Sequence, residues 1–171
     1  MRFTRRKVLL GLVALVVIGW AWSGLGSNGQ APIESQAGTV TLVIDFGAES
    51  GRAPIIRKVE SFSGTGWELF EAAGVEVAGT AEFPAGFVCR VEGFPSVANQ
   101  DCLDTPKFNE GSWAYFVTNS KLATGWLLSG AGAASHRPEC GAFEGWLWVA
   151  PGESSGQKLP SVAAKPDNCE G

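Results

Sequence analysis

Thr65-Gly66-Trp67-Glu68-Leu69-Phe70-Glu71-Ala72-Ala73-Gly74 is the one stretch of this sequence that reads as a helix with both ends marked. Thr65 offers an N-cap hydroxyl, and Glu68 three residues on completes a capping box. Trp67, Phe70 and Ala73 share a face, and Gly74 supplies the stop. On either side the period changes to two. Val40, Leu42, Ile44 and Phe46 alternate with Thr41, Val43 and Asp45, which predicts a strand with one strongly apolar face. Gly47 to Gly51 reads as a turn and Ile55 to Phe62 as a second strand. Beyond the helix, Phe87 to Glu92 places Phe87, Cys89 and Val91 on one side before Gly93-Phe94-Pro95 breaks the run. A loop from about Ser96 to Gly111 follows, carrying Cys102 and Pro106. Trp113 to Val117, Gly125 to Ser129 and Phe143 to Val149 are the remaining strands. One helix among strands predicts an α+β fold, with that helix packed on a mixed sheet.

The N-terminus carries a different signal. Arg2, Arg5, Arg6 and Lys7 precede an uncharged run from Val8 to Trp22. That length suits a signal h-region, and extension through Ser23, Gly24 and Leu25 brings it near spanning length. The flanking positive charge places the N-terminus in the cytoplasm and the remainder outside. Gly29-Gln30-Ala31 has small residues where a cleavage site needs them, but Pro32 follows. Ser35-Gln36-Ala37 lies far from the apolar run. An uncleaved anchor is the favoured reading, and a signal peptide the other. No cysteine follows closely enough for a lipid anchor. The resulting organisation is a signal peptide or membrane anchor over 1–25, a linker over 26–38, a domain over 39–150 and a C-terminal tail over 151–171, loose except near Cys169, with the domain on the extracytoplasmic face of the cell membrane.

Composition narrows the function. The 171 residues carry a net charge of -4, and the basic residues beyond Lys7 are scattered, with Arg57-Lys58 the one adjacent pair, so no nucleic-acid backbone is matched. The four cysteines, Cys89, Cys102, Cys140 and Cys169, all fall on the exported side and predict two disulfides. Cys89 and Cys102 flank a turn-rich segment and are paired here, leaving Cys140 with Cys169. A zinc site would need closely spaced ligand pairs; there is no Cys-x-x-Cys and one histidine, so no metal is expected.

Catalytic constellations are not evident. His136 is the one conventional neutral-pH base, and no Ser or Cys nucleophile motif surrounds it. In Ala133-Ala134-Ser135-His136-Arg137-Pro138 it reads as a surface-loop residue, although an imidazole there could ligate a metal-centred cofactor. Gly130-x-Gly132 follows no convincing strand-to-helix turn, so it is not a phosphate loop. Glu68 and Glu71 read as a cap and a solvated helix residue. The chain is therefore expected not to be an enzyme. Trp113, Tyr115, Trp126, Trp146 and Trp148 are the candidate ligand-binding residues, joined by Gly130 in the Gly130 to Gly141 loop. Their flat rings suit a planar ligand, a sugar or an apolar partner surface. The same rings also suit a sheet–helix core with Trp67 and Phe70.

The order of motifs carries a resemblance. Gly66-Trp67-Glu68-Leu69-Phe70-Glu71-Ala72-Ala73-Gly74 is followed by Gly86-Phe87-Val88-Cys89-Arg90-Val91-Glu92-Gly93-Phe94-Pro95, then by Trp113-Ala114-Tyr115-Phe116, Gly125-Trp126, Ser129-Gly130 and Gly141-Ala142-Phe143-Glu144-Gly145-Trp146. Over about residues 39 to 150 this resembles the transcobalamin-like C-terminal domain family, in its exported actinobacterial forms. The resemblance implies a β-grasp-like fold and a role as the smaller half of a corrinoid carrier. The larger half, an α/α barrel, would be a separate polypeptide acting with a membrane importer. The expectation is a membrane-tethered binding domain with no resident cofactor and a bound corrinoid as ligand. The alternatives are a module for cell-wall glycans and a structural accessory of a membrane complex.

Overall fold

The computed structural model describes residues 38–118 and 125–167. The expected anchor or signal, the linker as far as residue 37, and Cys169 lie outside the described residues. Among the described residues no helix is long and apolar enough to cross a membrane.

The elements in chain order are β1 (Gly38–Asp45), β2 (Ile55–Phe62), α1 (Glu68–Ala72), β3 (Val77–Gly79), β4 (Val88–Val91), β5 (Ser112–Thr118), β6 (Trp126–Leu128) and β7 (Phe143–Val149). Five strands form one sheet in the order β2-β1-β7-β5-β6, and β3 and β4 form a separate hairpin. β1 and β7 run parallel at the centre, with Ile44 beside Trp146, and every other pairing is antiparallel. The fold is α+β, dominated by a mixed sheet with one helix.

The helix is short, and its ends are built as the sequence pattern indicates. Glu68 Oε2 accepts the Thr65 backbone N–H at 2.7 Å, and Thr65 Oγ1 accepts the Glu68 N–H at 3.3 Å. At the other end Gly74 adopts a left-handed φ of 65°, which a side chain would disfavour. Val75 N–H then reaches Phe70 O and Gly74 N–H reaches Glu71 O, the paired bonds of a Schellman stop. β3 escapes period-two reading because three residues are too few to show a period.

β1 departs from the one-faced strand of the sequence reading. Val40, Leu42, Ile44 and Phe46 do pack with Leu69 and Phe70 of α1 and with Trp113, Tyr115 and Trp146. Yet Val43 is as buried as they are, inside a second core with Ala114, Phe116, Trp126, Leu147 and Val149. A central strand of a parallel pair is covered on both sides. The second cover comes from the segment after β7, expected as a loose tail. Val162 and Ala164 pack on that face. Trp126 Nε1 donates to Val162 O at 2.6 Å, and Asp45 Oδ2 accepts both the backbone N–H and the hydroxyl of Ser161 at 2.6 Å. The described part of the tail is therefore an ordered layer.

Cys89 and Cys102 form the expected disulfide, tying β4 to the loop before β5. Cys140 is also disulfide-bonded; its expected partner Cys169 lies outside the described residues.

Candidate functional site

The parallel pair ends on the same side of the sheet, β1 at Asp45 and β7 at Val149. Two chain segments diverge there, Phe46 to Pro54 toward β2 and Ala150 to Ser161 into the tail. Between them lies an open cleft of about 850 Å³. Phe46, Phe94 and Trp148 supply aromatic wall, and Glu49, Arg52, Glu153 and Lys158 supply charge. Phe94 packs edge-on to Trp148 with centroids 5.3 Å apart. The Arg52 guanidinium sits 4.1 Å over the Phe46 ring and 5.7 Å from Phe94, a cation–π arrangement. Both terminal nitrogens of Arg52 donate to Glu92 O at 3.2 Å, so the side chain is held as a fixed wall. Lys158 pairs with Glu153 at 2.8 Å in an exposed bridge that adds little stability.

A second cluster lies on the helix face of the sheet. Glu144 on β7 is fully buried, on the same side as Trp146. The only tyrosine and the only histidine of the chain both reach its carboxylate. The Tyr115 hydroxyl donates to Glu144 Oε2, and His136 Nε2 stands 3.3 Å from Oε1. That second contact is an ion pair and not a formed hydrogen bond, and Oε1 has no hydrogen-bond donor among the described residues. Gly66 makes the cluster possible, because a Cβ there would fall 2.4 Å from the Tyr115 hydroxyl.

The cluster shifts its own protonation. The contact with Glu144 raises the His136 pKa, against partial desolvation that lowers it. Burial first, then the Glu144 charge, pushes the Tyr115 hydroxyl far above its ordinary value, so it stays a donor at neutral pH. A buried carboxylate is tolerated only when its oxygens are engaged. Here Tyr115 engages Oε2 by a hydrogen bond, and a protonated His136 engages Oε1 through charge.

The sequence-predicted ligand residues divide sharply. Trp113, Tyr115 and Trp146 lie in the helix-side core, and Trp126 in the tail-side core, all buried. They do not form one open aromatic face. Trp148 is the exception: it is half-buried and borders the cleft. Gly130 is exposed at the start of its loop, with open space where a side chain would begin. His136 is 30% exposed in its side chain and partnered, rather than a plain surface histidine. Two features escaped sequence reading. Arg52 looked like one more scattered cation. Glu144 looked like part of a motif, although a carboxylate at an inward position between apolar strand residues was the signal available.

Comparison with protein-family models, with curated proteins and with solved structures found no match for this chain.

Proposed function

We propose that this chain is an extracytoplasmic, membrane-tethered binding domain that captures a small planar ligand together with a partner protein or importer, a corrinoid being the first ligand to test. The observation that carries the reading is the cleft beyond Asp45 and Val149, concave, walled by Trp148 and Phe94 and edged by the charged Glu49, Arg52, Glu153 and Lys158. Aromatic wall with polar groups to orient a ligand is the composition that ligand sites use. The sheet order β2-β1-β7-β5-β6 with its central parallel pair supports placing the domain in the β-grasp class, in line with the resemblance to the transcobalamin-like C-terminal domain family. The open form of the cleft suits one half of a site, which a separate α/α-barrel protein would complete. The membrane tether rests on the basic and apolar N-terminal sequence alone.

The test is titration of the purified full chain in detergent with cyanocobalamin, following the corrin absorbance and tryptophan emission. Saturable binding tighter than about 10 μM, roughly 7 kcal/mol, that Trp148→Ala weakens would support the reading. An unchanged corrin spectrum would remove the corrinoid. Quenching by cell-wall oligosaccharides in its place would identify a glycan module that uses the half-exposed Trp148.

A further inference from the structure

We propose that the segment from Ser129 to Gly141 is a lid over the stacked Tyr115–Trp146 pair, latched by His136 on Glu144 and loosened as pH rises. The segment joins β6 to β7 and is fixed at both ends. Ser129 N–H donates to Tyr115 O at 2.8 Å, and Gly141 N–H donates to Thr39 O at 2.7 Å. Between these anchors it contains no helix or strand, and most of its residues face solvent. Toward its C-terminal end Pro138 is buried and Cys140 is disulfide-bonded, so the part able to lift runs from Ser129 to Arg137, and it is held to the body of the domain at a few points. Ala133 inserts into the helix-side core, Ala133 O and His136 O accept the backbone N–H groups of Trp67 and Gly66, and Arg137 reaches Ser63 O at 3.0 Å. His136 is the one charged group of the segment that reaches the buried carboxylate. A segment with so few buried contacts belongs to the low-stability end of a structure, and a single ionic latch can set how often it opens.

What the lid covers gives opening a consequence. Tyr115 and Trp146 stack with centroids 4.7 Å apart and planes 22° apart, and the imidazole of His136 lies edge-on to Tyr115 at 6.0 Å. The indole N–H of Trp146 is buried with no acceptor among the described residues. Opening would bring solvent to the Tyr115 ring and to the Glu144 carboxylate that His136 covers. This site is separate from the cleft at the strand ends.

The direction of the pH effect follows from the groups around His136. Glu144 on β7 favours the imidazolium, and Glu139 on the segment itself adds to it. Tyr115 on β5 faces the ring as a neutral hydroxyl. Arg137, next in the chain, interacts with Glu68 at the start of α1. With its closed-state pKa raised, His136 contributes the latch fully below its ordinary value of 6.5 and loses it as pH climbs through the raised one. The lid is tight in mild acid and loose in mild alkali.

Amide hydrogen exchange of the purified full chain between about pH 6 and pH 8.5 tests this directly. After correction for intrinsic base catalysis, protection at Gly66 and Trp67 should fall by about tenfold across that range. Amides of β1 and β7 should not change. In His136→Gln the protection at Gly66 and Trp67 should be low and flat with pH. The single imidazole of the wild-type chain should titrate above 6.5, and this needs no variant. Protection that is flat with pH in the wild type, an imidazole titrating at or below its ordinary value, or an equal loss throughout β1 and β7 would each overturn the lid.

Discussion

The two faces of the sheet are sealed by opposite means. The helix side is covered by elements close in sequence to the strands they join: α1 between β2 and β3, the β3–β4 hairpin, and the loop between β6 and β7. The other side is covered by a strip of extended chain that arrives only after the last strand, with Pro160, Val162 and Ala164 as its buried or half-buried residues. The helix side also holds the polar cluster of Tyr115, Glu144 and His136, while on the tail side the buried Asp45, at the end of β1, is bonded to the strip. The difference teaches that a regular element is not required to close a sheet. An extended strip with two or three apolar residues suffices when the strand residues opposite it supply hydrogen-bond partners. Trp126 gives its indole N–H to the strip, and Asp45 receives Ser161.

The most severe test of this equivalence is a matched pair of truncations. Phe70→Ala empties the helix-side core and should cost about 3–5 kcal/mol, the usual range for a buried aromatic. Trp126→Ala should cost a similar amount, because its ring is 2% exposed and packs against Gly145 and the strip. Urea unfolding monitored by far-ultraviolet dichroism measures both. A Trp126→Ala loss below about 1 kcal/mol would mean that the strip merely rests on the sheet.

A sharper cut truncates no core side chain and releases the strip by its hydrogen bonds alone. In Asp45→Asn the carboxylate that accepts the Ser161 N–H and hydroxyl becomes an amide, with one acceptor oxygen for three donors now that Gly47 N–H also points there. The expected loss is about 1.5–3 kcal/mol, as for hydrogen bonds to a charged group. It should appear first as protease cleavage within residues 158–167 while the sheet remains protected. Uniform destabilisation with no selective cleavage would show that Asp45 organises the β1 turn instead of the strip.

The same contrast explains what could be read from the sequence. The helix side was legible because its signals are local: a capping box at Thr65 and Glu68, a stop at Gly74, and alternation from Val40 to Phe46. The Cys89–Cys102 bridge was legible for the same reason, since its partners stand 13 residues apart. The strip was not, because Pro160, Val162 and Ala164 acquire meaning only once Trp126 and Asp45 have been brought beside them, and pairings separated by 36 and 116 residues leave no periodic trace. The candidate sites follow the same rule. Aromatic positions could be named, but their exposure depends on which strands end up central, so Trp113, Tyr115, Trp126 and Trp146 moved inward and only Trp148 kept an open edge. Glu144 became visible as a site residue only when the register set it among Tyr115, His136 and Gly66.

The smallest expected effect tests the local half of the comparison. Thr65→Ala removes the hydroxyl that accepts the Glu68 N–H, and with it a hydrogen bond from that hydroxyl to the Glu68 carboxylate at 3.0 Å. The expected cost is about 1 kcal/mol. The Glu68 pKa is lowered mainly by the Thr65 backbone N–H, which the substitution leaves in place, and next by the hydroxyl, which it deletes. The depressed pKa makes this contribution present above the ordinary carboxylate value and lost as pH falls through the folded one. The difference between wild type and Thr65→Ala should therefore shrink on acidification, measured as unfolding midpoints at neutral pH and near pH 3. A difference that stays constant with pH would assign the whole effect to the neutral backbone cap. The capping box would then be a geometric stop for a helix held by Leu69 and Phe70, and local signals would mark where the helix-side cover begins without adding electrostatic strength to it.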